Sequence, residues 1–599
     1  MILQALKSYY DRKSLDPESG IPPEGFEIKP IPFLIVIDRN GKFINLEDTR
    51  EPVGKKLIPR SFLVPRSKPR SAKLSYKTTF FLWDHIGYVL EHSNAPKDDA
   101  KAKNQHETWL KSLKEIPPEL SSQENISAIQ KFYDSGGIKD VKSHITWDEC
   151  KKGPYCNITF KMAGEELPIP CGQAVQDYIK QELKHPGDES NHSVKGLVKS
   201  RCLVTGEIDE IVRVHNDTRI GKDAKKLVSF QRNYGFDSFG KEYAFNAPIG
   251  KTAEFAYVTA LNTLLKSKSR MLVGDAVTVF WSEKDSDLEN QIAAFFREPP
   301  KDDPDRGVEA VKGLYNSVKS GVFHIQTDNR FYVLGLAPNT ARISVRFWIS
   351  GTVAGIAEKI YQHFKDTQII VPQKHRDDWP QWQSLNALLS ATANNTKFDA
   401  NKSNLVYYRG KYFDVKPNIG GETIRCILEG LPYPHTLFQA AIRRIHAEHD
   451  IPYPRAALIK AWINRSTRFK NPQIKEELTM SLDENNTNIG YRLGRLFATL
   501  EKIQQEANPG INATIRDRFY AAASGTPSTV FGNLMRLKNH HLAKMDRVGR
   551  KIFFEKLLGQ IIDGVAAEIS FPAHLSLEDQ GRFAIGYYHQ MQKFFTKNV

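Results

Sequence analysis

The stretch LVSFQRNYGFDSFGKEYAFNAPIGKTAEFAYVTALNTLL, Leu227 to Leu265, joins a turn-rich half to a regular helical half. Its Asn, Gly, Ser and Pro residues favour turns and positive φ, and the aromatic residues between them need burial or a stacking partner. This composition, with its added cations, suits a loop that lies against a phosphate backbone or unpaired bases. It is equally typical of a tightly turned structural loop whose aromatics are core. The candidate DNA-binding residues here are Lys225, Lys226, Arg232, Asn233, Lys241 and Asn246.

A second candidate surface is the stretch from Pro52 to Phe80, called the basic segment below, which contains many basic residues and no acidic one. Pro65, Pro69 and several serines oppose a regular helix, so we expect its cations on an extended, solvated loop. Such a loop can follow a nucleic-acid groove, and the alternative is a charged loop that serves only solubility. The candidate DNA-binding residues here are Arg66, Lys68, Arg70, Lys73, Ser75 and Lys77.

The length and charge of the chain narrow the classes of protein. A chain of 599 residues predicts about three to four domains. Its 84 Lys and Arg against 69 Asp and Glu give a net charge of +15, which favours a polyanionic partner. No run of about 18 apolar residues is present to span a bilayer, and the N-terminus is too polar for a signal peptide. We therefore expect a cytoplasmic protein.

The hydrophobic periodicity predicts an α+β fold. It indicates an N-terminal mixed α/β region with twisted sheets, followed by an all-α C-terminal helical bundle. The opening ILQALKSYY reads as an amphipathic helix, and IPFLIVIDRNGKFINLED as two strands joined at an Asn-Gly turn. Arg342 and Arg346 share one face of a later strand, where they contact either nucleic acid, a neighbouring subunit or carboxylates across the sheet. The predicted regions are residues 1–200, 201–375, 376–479 and 480–599.

Several short sequence motifs, taken in their order along the chain, resemble those of a known protein family. They include MILQALKSYY, FLIVIDRNGKFINLEDTR, FLWDHIGYVL, CLVTGE, SFQRNYGFDSFGKEYAFNAP, GDAVTVFWSE, FYVLGLAPNTARISVRFW, ILEGLPYPHTLFQAAIRRI and YRLGRLFATLEKIQ. In this order the chain closely resembles the CRISPR-associated large-subunit family of type I-C (Dvulg-subtype) Cascade surveillance complexes. The resemblance runs from Met1 to Gln504.

This resemblance implies a function in RNA-guided antiviral defense. The large subunit of such a complex recognises the protospacer-adjacent motif (PAM) on double-stranded target DNA, promotes R-loop formation and recruits a nuclease-helicase that cuts. Here the loop before FLWD, ending at Lys77, is the matching segment, although Lys77-Thr78-Thr79-Phe80 departs from the Lys-Pro-Asn-like approach usual in the family. The C-terminal region resembles the small subunit that lines the displaced DNA strand, and its candidate contacts are Arg492, Arg495, Arg516, Arg518, Arg536 and Lys538.

The resemblance also implies a set of partners. They are the CRISPR RNA, target double-stranded DNA, the Cascade backbone subunits, the CRISPR-RNA-processing subunit, a small subunit and the recruited nuclease-helicase. In the family the small subunit is made by internal translation of the large-subunit gene. Met480 is the candidate internal start here, because it lies directly ahead of a predicted bundle of normal small-domain length.

The sequence shows no recognised catalytic motif. It lacks a phosphate-binding GxxxxGK[ST] loop, an HExxH zinc motif, a GxSxG elbow and a dinucleotide fingerprint. The spacing of Cys150, Cys156, Cys171 and Cys202 matches no paired zinc knuckle. We therefore expect a non-enzymatic protein without metal or cofactor. The alternatives are a nucleic-acid-cleaving enzyme with an unrecognised site and an adaptor that binds only proteins.

Overall fold

The computed structural model describes residues 1–599 except 55, 69, 71–74, 94, 96–97, 154–155, 185–197, 221–222, 232–234, 236–239, 297–308, 311, 314, 317–319, 321–327, 340–341, 377–378, 400–404, 566–569 and 597–599. The chain forms two compact units. The first comprises residues 1–218 and 226–263, and the second comprises residues 219–225 and 264–599.

The first unit combines short strands with short helices. Its elements are α1 (Ile2–Ser14), β1 (Phe26–Pro30), β2 (Phe33–Ile37), β3 (Phe43–Asp48), β4 (Arg50–Val53), β5 (Lys56–Pro59), β6 (Ser61–Pro65), β7 (Trp83–His85), α2 (Ile86–Val89), α3 (Asp99–Lys114), α4 (Pro118–Ser121), α5 (Glu124–Asp134), α6 (Ile138–Ser143), α7 (Trp147–Cys150), β8 (Asn157–Met162), α8 (Gln173–Lys184), β9 (Lys199–Arg201) and β10 (Ile208–Glu210). Helix α9 (Lys251–Leu264) comes last in this unit, whereas β11 (Thr218–Ile220) and β12 (Asp223–Lys225), which pair with each other, belong to the second unit except for Thr218.

A four-stranded sheet in the order β3-β2-β8-β7 is the centre of the first unit. Strand β2 is buried at all five positions because β3 and β8 flank it and helices cover its face. The predicted strand, turn and strand over residues 33–48 are confirmed. Asp38 fixes the turn by accepting the N–H groups of Asn40 and Lys42 at 2.8 and 2.9 Å. Gly41 has a φ of +76°, and a Cβ there would lie 2.5 Å from the backbone nitrogen of Phe132.

The basic segment forms two strand pairs before it reaches the loop. Strand β4 pairs with β5 in a two-stranded hairpin, and β6 pairs with β1. The loop between Pro65 and Trp83 therefore begins at the end of one sheet and ends at another. Its two ends therefore have fixed positions, and Ser75–Lys77 within it forms a short helical turn.

The second unit begins with strands and continues in helices. Its elements are β13 (Arg270–Val273), β14 (Ala276–Ser282), α10 (Asp287–Phe296), β15 (Arg330–Pro338), β16 (Ile343–Thr352), α11 (Val353–Thr367), α12 (Leu385–Ser390), β17 (Asn395–Thr396), β18 (Leu405–Tyr408), β19 (Lys411–Asp414), α13 (Ile419–Glu429), α14 (His435–Glu448), α15 (Tyr453–Lys470), α16 (Ile489–Ala507), α17 (Ile515–Gly525), α18 (Phe531–Lys544), α19 (Val548–Asp563) and α20 (Leu577–Phe595).

One hydrophobic core extends through the second unit, from the antiparallel sheet β13-β14-β15-β16 to the last helix. Arg346 on β16 pairs with Asp275 at 2.7 Å, so the carboxylate alternative is the observed one for this arginine. Helix α15 is buried along most of its length because helices pack around it. The helices after Met480 share this core with those before it.

Helices α16 and α20 touch through their backbones. A Cβ on Gly494 would lie 2.0 Å from the carbonyl oxygen of Phe583, and a Cβ on Gly586 would lie 2.1 Å from that of Tyr491. Only glycine permits so close an approach of two helices. The α+β prediction with helices at the C-terminus is confirmed. The division into four regions stays a prediction.

No helix in the described part of the chain is both long and apolar enough to cross a membrane.

Candidate nucleic-acid interface

Arg70 lies in a pocket of the first unit formed by the residues just after it. Its guanidinium pairs with Asp84, whose side chain is 0% exposed. The same guanidinium lies 3.7 Å from the centroid of the Phe80 ring and 4.2 Å from that of Tyr88. Arg70 Nε also donates to the Thr78 carbonyl at 2.8 Å. Arg70 is therefore held inside the fold, and the expectation of a solvated side chain is wrong for it.

Asp84 receives donors from both directions along the chain. The N–H groups of Phe80 and His85 donate to its carboxylate at 3.0 and 2.9 Å. Burial raises the pKa of the Asp84 carboxyl, and the Arg70 cation and these donors oppose that rise. Burial also lowers the pKa of His85 to about 3, so its imidazole is neutral and accepts the Gly87 N–H at 3.1 Å. Asp84 is thus a buried anchor for the end of the basic segment.

Arg66 anchors the other end of the loop. It pairs with Glu254 of α9 at 3.2 Å, and the Glu254 side chain is 3% exposed. Its guanidinium also lies 4.6 Å from the centroid of the Phe255 ring. Glu254 additionally accepts the Asn216 N–H at 2.8 Å. The expectation of solvation is therefore wrong for Arg66 as well, because a buried carboxylate 188 residues away holds it.

The remaining candidates of the basic segment differ in exposure. Lys68 and Lys77 are exposed, and Ser75 is half-buried. The Ser75 carbonyl accepts the Tyr88 hydroxyl at 2.5 Å, which holds the backbone next to Lys77. Lys73 lies outside the described residues. The structure therefore presents Lys68, between the two partly buried arginines, and Lys77, after Arg70, to solvent.

The loop of residues 227–250 is described only in part. Arg232 and Asn233 lie outside the described residues. Lys241 is exposed, whereas Asn246 uses its side-chain amide to donate to the carbonyls of Lys241 and Tyr243 at 3.0 and 3.1 Å. Asn246 therefore braces the short helical turn that precedes α9, and Lys241 is the accessible member of this pair.

The two lysines that precede this loop are partly buried. Lys226 pairs with Asp217 at 2.9 Å and donates to the His215 carbonyl at 2.7 Å. Lys225 is half-buried at the end of β12 and has an interaction of its own. Neither lysine is therefore fully exposed to solvent.

The C-terminal candidates fall into three groups. Arg518 and Arg536 are exposed. Arg516 and Lys538 are partly buried and pair with Asp450 at 3.5 Å and with Glu555 at 3.6 Å. Arg492 is partly buried too, and its Nε donates to the Asn486 carbonyl at 2.6 Å.

Arg495 requires a correction. It is 3% exposed, its Nε donates to Gln590 at 3.2 Å and its Nη1 donates to the Glu484 carbonyl at 3.1 Å. Desolvation by burial lowers the pKa of its guanidinium. A side chain covered in this way has no surface to offer a DNA strand, and its charge in the sequence did not reveal the cover that Gln590 of α20 provides.

Glu254 and Asp84 are the residues that the sequence interpretation missed. The sequence around each residue contains a signal that could have identified it. Glu254 interrupts the apolar run AEFAYVTAL of a helix, and Asp84 directly follows the apolar FLW. A carboxylate inside an apolar run is rarely buried without a partner, so each one predicts a nearby cation.

In the part of the chain that the structure describes, no group of three or more His, Cys, Asp or Glu side chains is arranged to hold a metal ion. Four of the five cysteines are buried, and Cys426 is partly so. Burial raises the pKa of the Cys171 thiol to about 12, which keeps it protonated and unreactive.

The basic segment and the FLWD motif that follows it both lie within the part of the chain that matches a known protein family. Residues 6–595 match a family described as a CRISPR-associated protein, which defines the class of this chain. No curated protein matches the chain significantly. The chain belongs to the Cas_Csd1 family, the large-subunit family of type I-C Cascade complexes.

Proposed function

We propose that this chain recognises the PAM of double-stranded target DNA within a type I-C surveillance complex and thereby promotes R-loop formation. The observation that carries the proposal is the arrangement of the basic segment. Arg66 and Arg70 hold the chain on either side of Lys68 through buried Glu254 and Asp84, and Lys68 and Lys77 remain exposed. An anchored loop with free ammonium groups is suited to phosphates because little conformational freedom is lost on binding.

The division of labour in this proposal follows from the chemistry of recognition. Guide pairing supplies the long sequence specificity, and the protein reads a short duplex motif and holds the strands in positive channels. The exposed Arg518 and Arg536 are then the C-terminal residues best placed to contact the displaced strand. The remaining partners are the CRISPR RNA, the backbone and processing subunits, a small subunit made by internal translation and a recruited nuclease-helicase.

In this proposal the protein acts in the cytoplasm and has no catalytic activity of its own. Its contribution to cleavage is the recruitment of the nuclease-helicase. Purified full-length chain incubated with labelled duplex DNA, single-stranded DNA and RNA, with and without divalent metal, should leave all three intact. Cleavage that co-purifies with the chain and requires metal would overturn this part of the proposal.

Duplex capture by the assembled complex tests the proposal directly. The variant Lys68→Ala with Lys77→Ala should bind a duplex carrying the motif more weakly, and its log–log salt slope should fall by about two, about one for each phosphate that the variant no longer neutralises. The matched control is Lys114→Ala with Lys139→Ala, which removes two exposed lysines of the same unit. If affinity and slope stay unchanged in the test variant, or change equally in the control, these lysines do not contact the duplex.

A further inference from the structure

Three aromatic rings form a row on the outer face of the small sheet β17-β19-β18 in the second unit. Tyr407 and Tyr412 are opposite each other in the register of β18 and β19, and Thr396 of β17 is opposite Tyr412 on the other side. The ring centroids of Phe398 and Tyr407 each lie 5.1 Å from that of Tyr412. Tyr407 and Tyr412 share one face because they are opposite each other in an antiparallel pair, and the ring of Phe398, just after β17, lies against Tyr412. We call them the aromatic row.

Two of the three rings of the aromatic row are open to solvent, and Tyr412 between them is half-buried. Phe398 is 65% exposed and Tyr407 is 51% exposed. The opposite face of the sheet is covered, since Val406 is 5% exposed and Phe413 packs against the core. A sheet with its apolar side already buried has no structural need for three more aromatic rings outside. Exposed large aromatics grouped in this way mark a binding surface.

The sheet that carries the row is fixed in place. The turn between β18 and β19 uses Arg409 and Gly410, both with positive φ, of 46° and 79°. The Arg409 guanidinium lies 4.0 Å from the centroid of the Trp379 ring, and Trp379 packs against the core. The rings are therefore preorganised, and little ordering free energy is needed when a flat ligand stacks on them.

A basic cleft of about 310 Å³ adjoins one end of this sheet. Asn394, just before β17, and Asp414, the last residue of β19, line it together with Lys416, Arg443 and Arg444. Arg444 pairs with Glu448 across one turn of α14, whereas Lys416 and Arg443 are exposed. The exposed Lys397 directly follows the outer strand β17, and the exposed Lys411 is the first residue of the central strand β19. Positive charge is therefore present at the start of β19, next to β17 and in the cleft that adjoins the sheet.

Flat rings flanked by cations match an unpaired nucleic-acid strand. Every base has a π-face that stacks on an aromatic ring, and the backbone follows the positive groups. A duplex does not fit this surface, because its bases are already stacked on one another. An acidic protein partner would use the cations but would leave the exposed row without a flat ligand.

We propose that the aromatic row and the adjoining cleft bind an unpaired strand, with bases stacked on Phe398, Tyr412 and Tyr407 and phosphates held by Lys416 and Arg443. This site is separate from the basic segment of the first unit. It does not rest on the proposed recognition of the duplex motif, because it uses other residues and another form of nucleic acid.

Anisotropy of labelled oligonucleotides on the full-length chain tests the site. Phe398→Ala with Tyr407→Ala should weaken the binding of oligo-dT or oligo-U by about fivefold to 150-fold for each base that loses its stacking partner. The ring-preserving variant Phe398→Tyr with Tyr407→Phe should bind like the wild type. Phe469→Ala, which removes another ring that is 63% exposed, is the matched control and should also bind normally.

The salt dependence of single-strand binding tests the role of the basic residues in the cleft. Lys416→Ala with Arg443→Ala should lower the log–log salt slope for single strands by about 1.4, which corresponds to two phosphate contacts at about 0.7 each. The affinity for duplex DNA carrying the motif should remain unchanged in both sets of variants, and Lys68→Ala with Lys77→Ala should leave single-strand binding unchanged. Failure of this inference is thus distinguishable from failure of the proposed motif recognition.

Crosslinking identifies the surface without relying on substitutions. Oligonucleotides with 5-iodouracil should crosslink under ultraviolet light to peptides that contain Phe398, Tyr407 or Tyr412. Tighter binding of DNA than of RNA of the same sequence would indicate the displaced target strand as the natural ligand, and the reverse would indicate the guide. Wild-type affinity in the Phe398→Ala, Tyr407→Ala variant, or crosslinks confined to other peptides, would overturn the proposal.

Discussion

Arg70→Ala should destabilise the first unit far more than it changes any surface charge. The substitution leaves the Asp84 carboxylate, which is 0% exposed, without its cation. Removing one partner of a buried ion pair costs about 3–5 kcal/mol, because the remaining charge stays desolvated. The Phe80 and Tyr88 rings are also deprived of the guanidinium that lies 3.7 and 4.2 Å from their centroids. That contribution overlaps with the ion pair, so the two are not additive.

Differential scanning calorimetry of the full-length chain measures this effect. For a unit of this size, about 2–4 °C of melting temperature corresponds to 1 kcal/mol, so the transition of the first unit should shift down by about 6–20 °C. Lys68→Ala, two residues away and exposed, should change stability by less than about 0.5 kcal/mol. Arg70→Lys should fall between them, because it keeps the charge but loses the flat, forked group.

A double-mutant cycle tests the coupling between Arg70 and Asp84, and a comparison of melting with duplex capture separates stability from binding. Adding Asp84→Asn to Arg70→Ala should recover part of the lost stability, since no unpaired buried charge then remains. If Arg70→Ala melts like the wild type and yet fails to capture duplex DNA, the arginine contacts DNA directly and the structural role assigned to it is refuted.

Three further predictions concern the second unit. Gly494→Ala should cost at least about 1–3 kcal/mol in urea unfolding, because its Cβ would meet the Phe583 carbonyl at 2.0 Å, whereas Gly559→Ala, with open space around it, should be neutral or slightly stabilising. Burial lowers the pKa values of His363 and His589 to about 3, whereas the pKa of an unfolded histidine is about 6.5. The unfolding free energy is therefore highest above about pH 6.5 and decreases as the pH falls towards 3, because the unfolded chain then binds protons that the folded chain does not. The unfolding free energy should fall by about 3 kcal/mol between about pH 6.5 and pH 5 for the two together, and a urea midpoint independent of pH over this range would contradict the assignment. Expression of the native gene with a C-terminal tag should give a short product that disappears when the Met480 codon is changed to a Leu codon; full-length protein should persist, because the contact of Met480 with Ile370 is made by its backbone carbonyl at 2.9 Å. A short product that survives the change would exclude this start.

Much of the fold could be predicted because local patterns decide it. The Asn-Gly turn after β2 and the apolar stripe of α16 depend on residues close together in the chain. The same holds for the start of α20, where Ser576 caps the helix by accepting the Asp579 N–H at 3.1 Å. Turn residues, capping residues and periodicity act over a few positions, and the sequence displays them directly.

The candidate interface was less predictable because a cation's surroundings depend on distant residues. Counting charges gave Arg66, Lys68 and Arg70 the same weight. In the structure, Glu254 holds Arg66 from 188 positions away, and Lys68 stays exposed. Arg495 was a candidate contact because of its charge, but whether it is covered depends on α20, which begins only at Leu577. The role of the exposed lysines as DNA contacts stays a prediction.

The close backbone approach of α16 and α20 at their glycines has a consequence for synthesis on the ribosome. Helix α16 ends at Ala507, but the partner that touches its backbone begins only at Leu577 and is translated later. Until then the apolar face around Phe497 has no α20 to cover it. The close packing of α16 therefore has to wait until Leu577–Phe595 has been synthesised, and a nascent chain that stalls before Leu577 presents an adhesive apolar surface to chaperones and to other nascent chains.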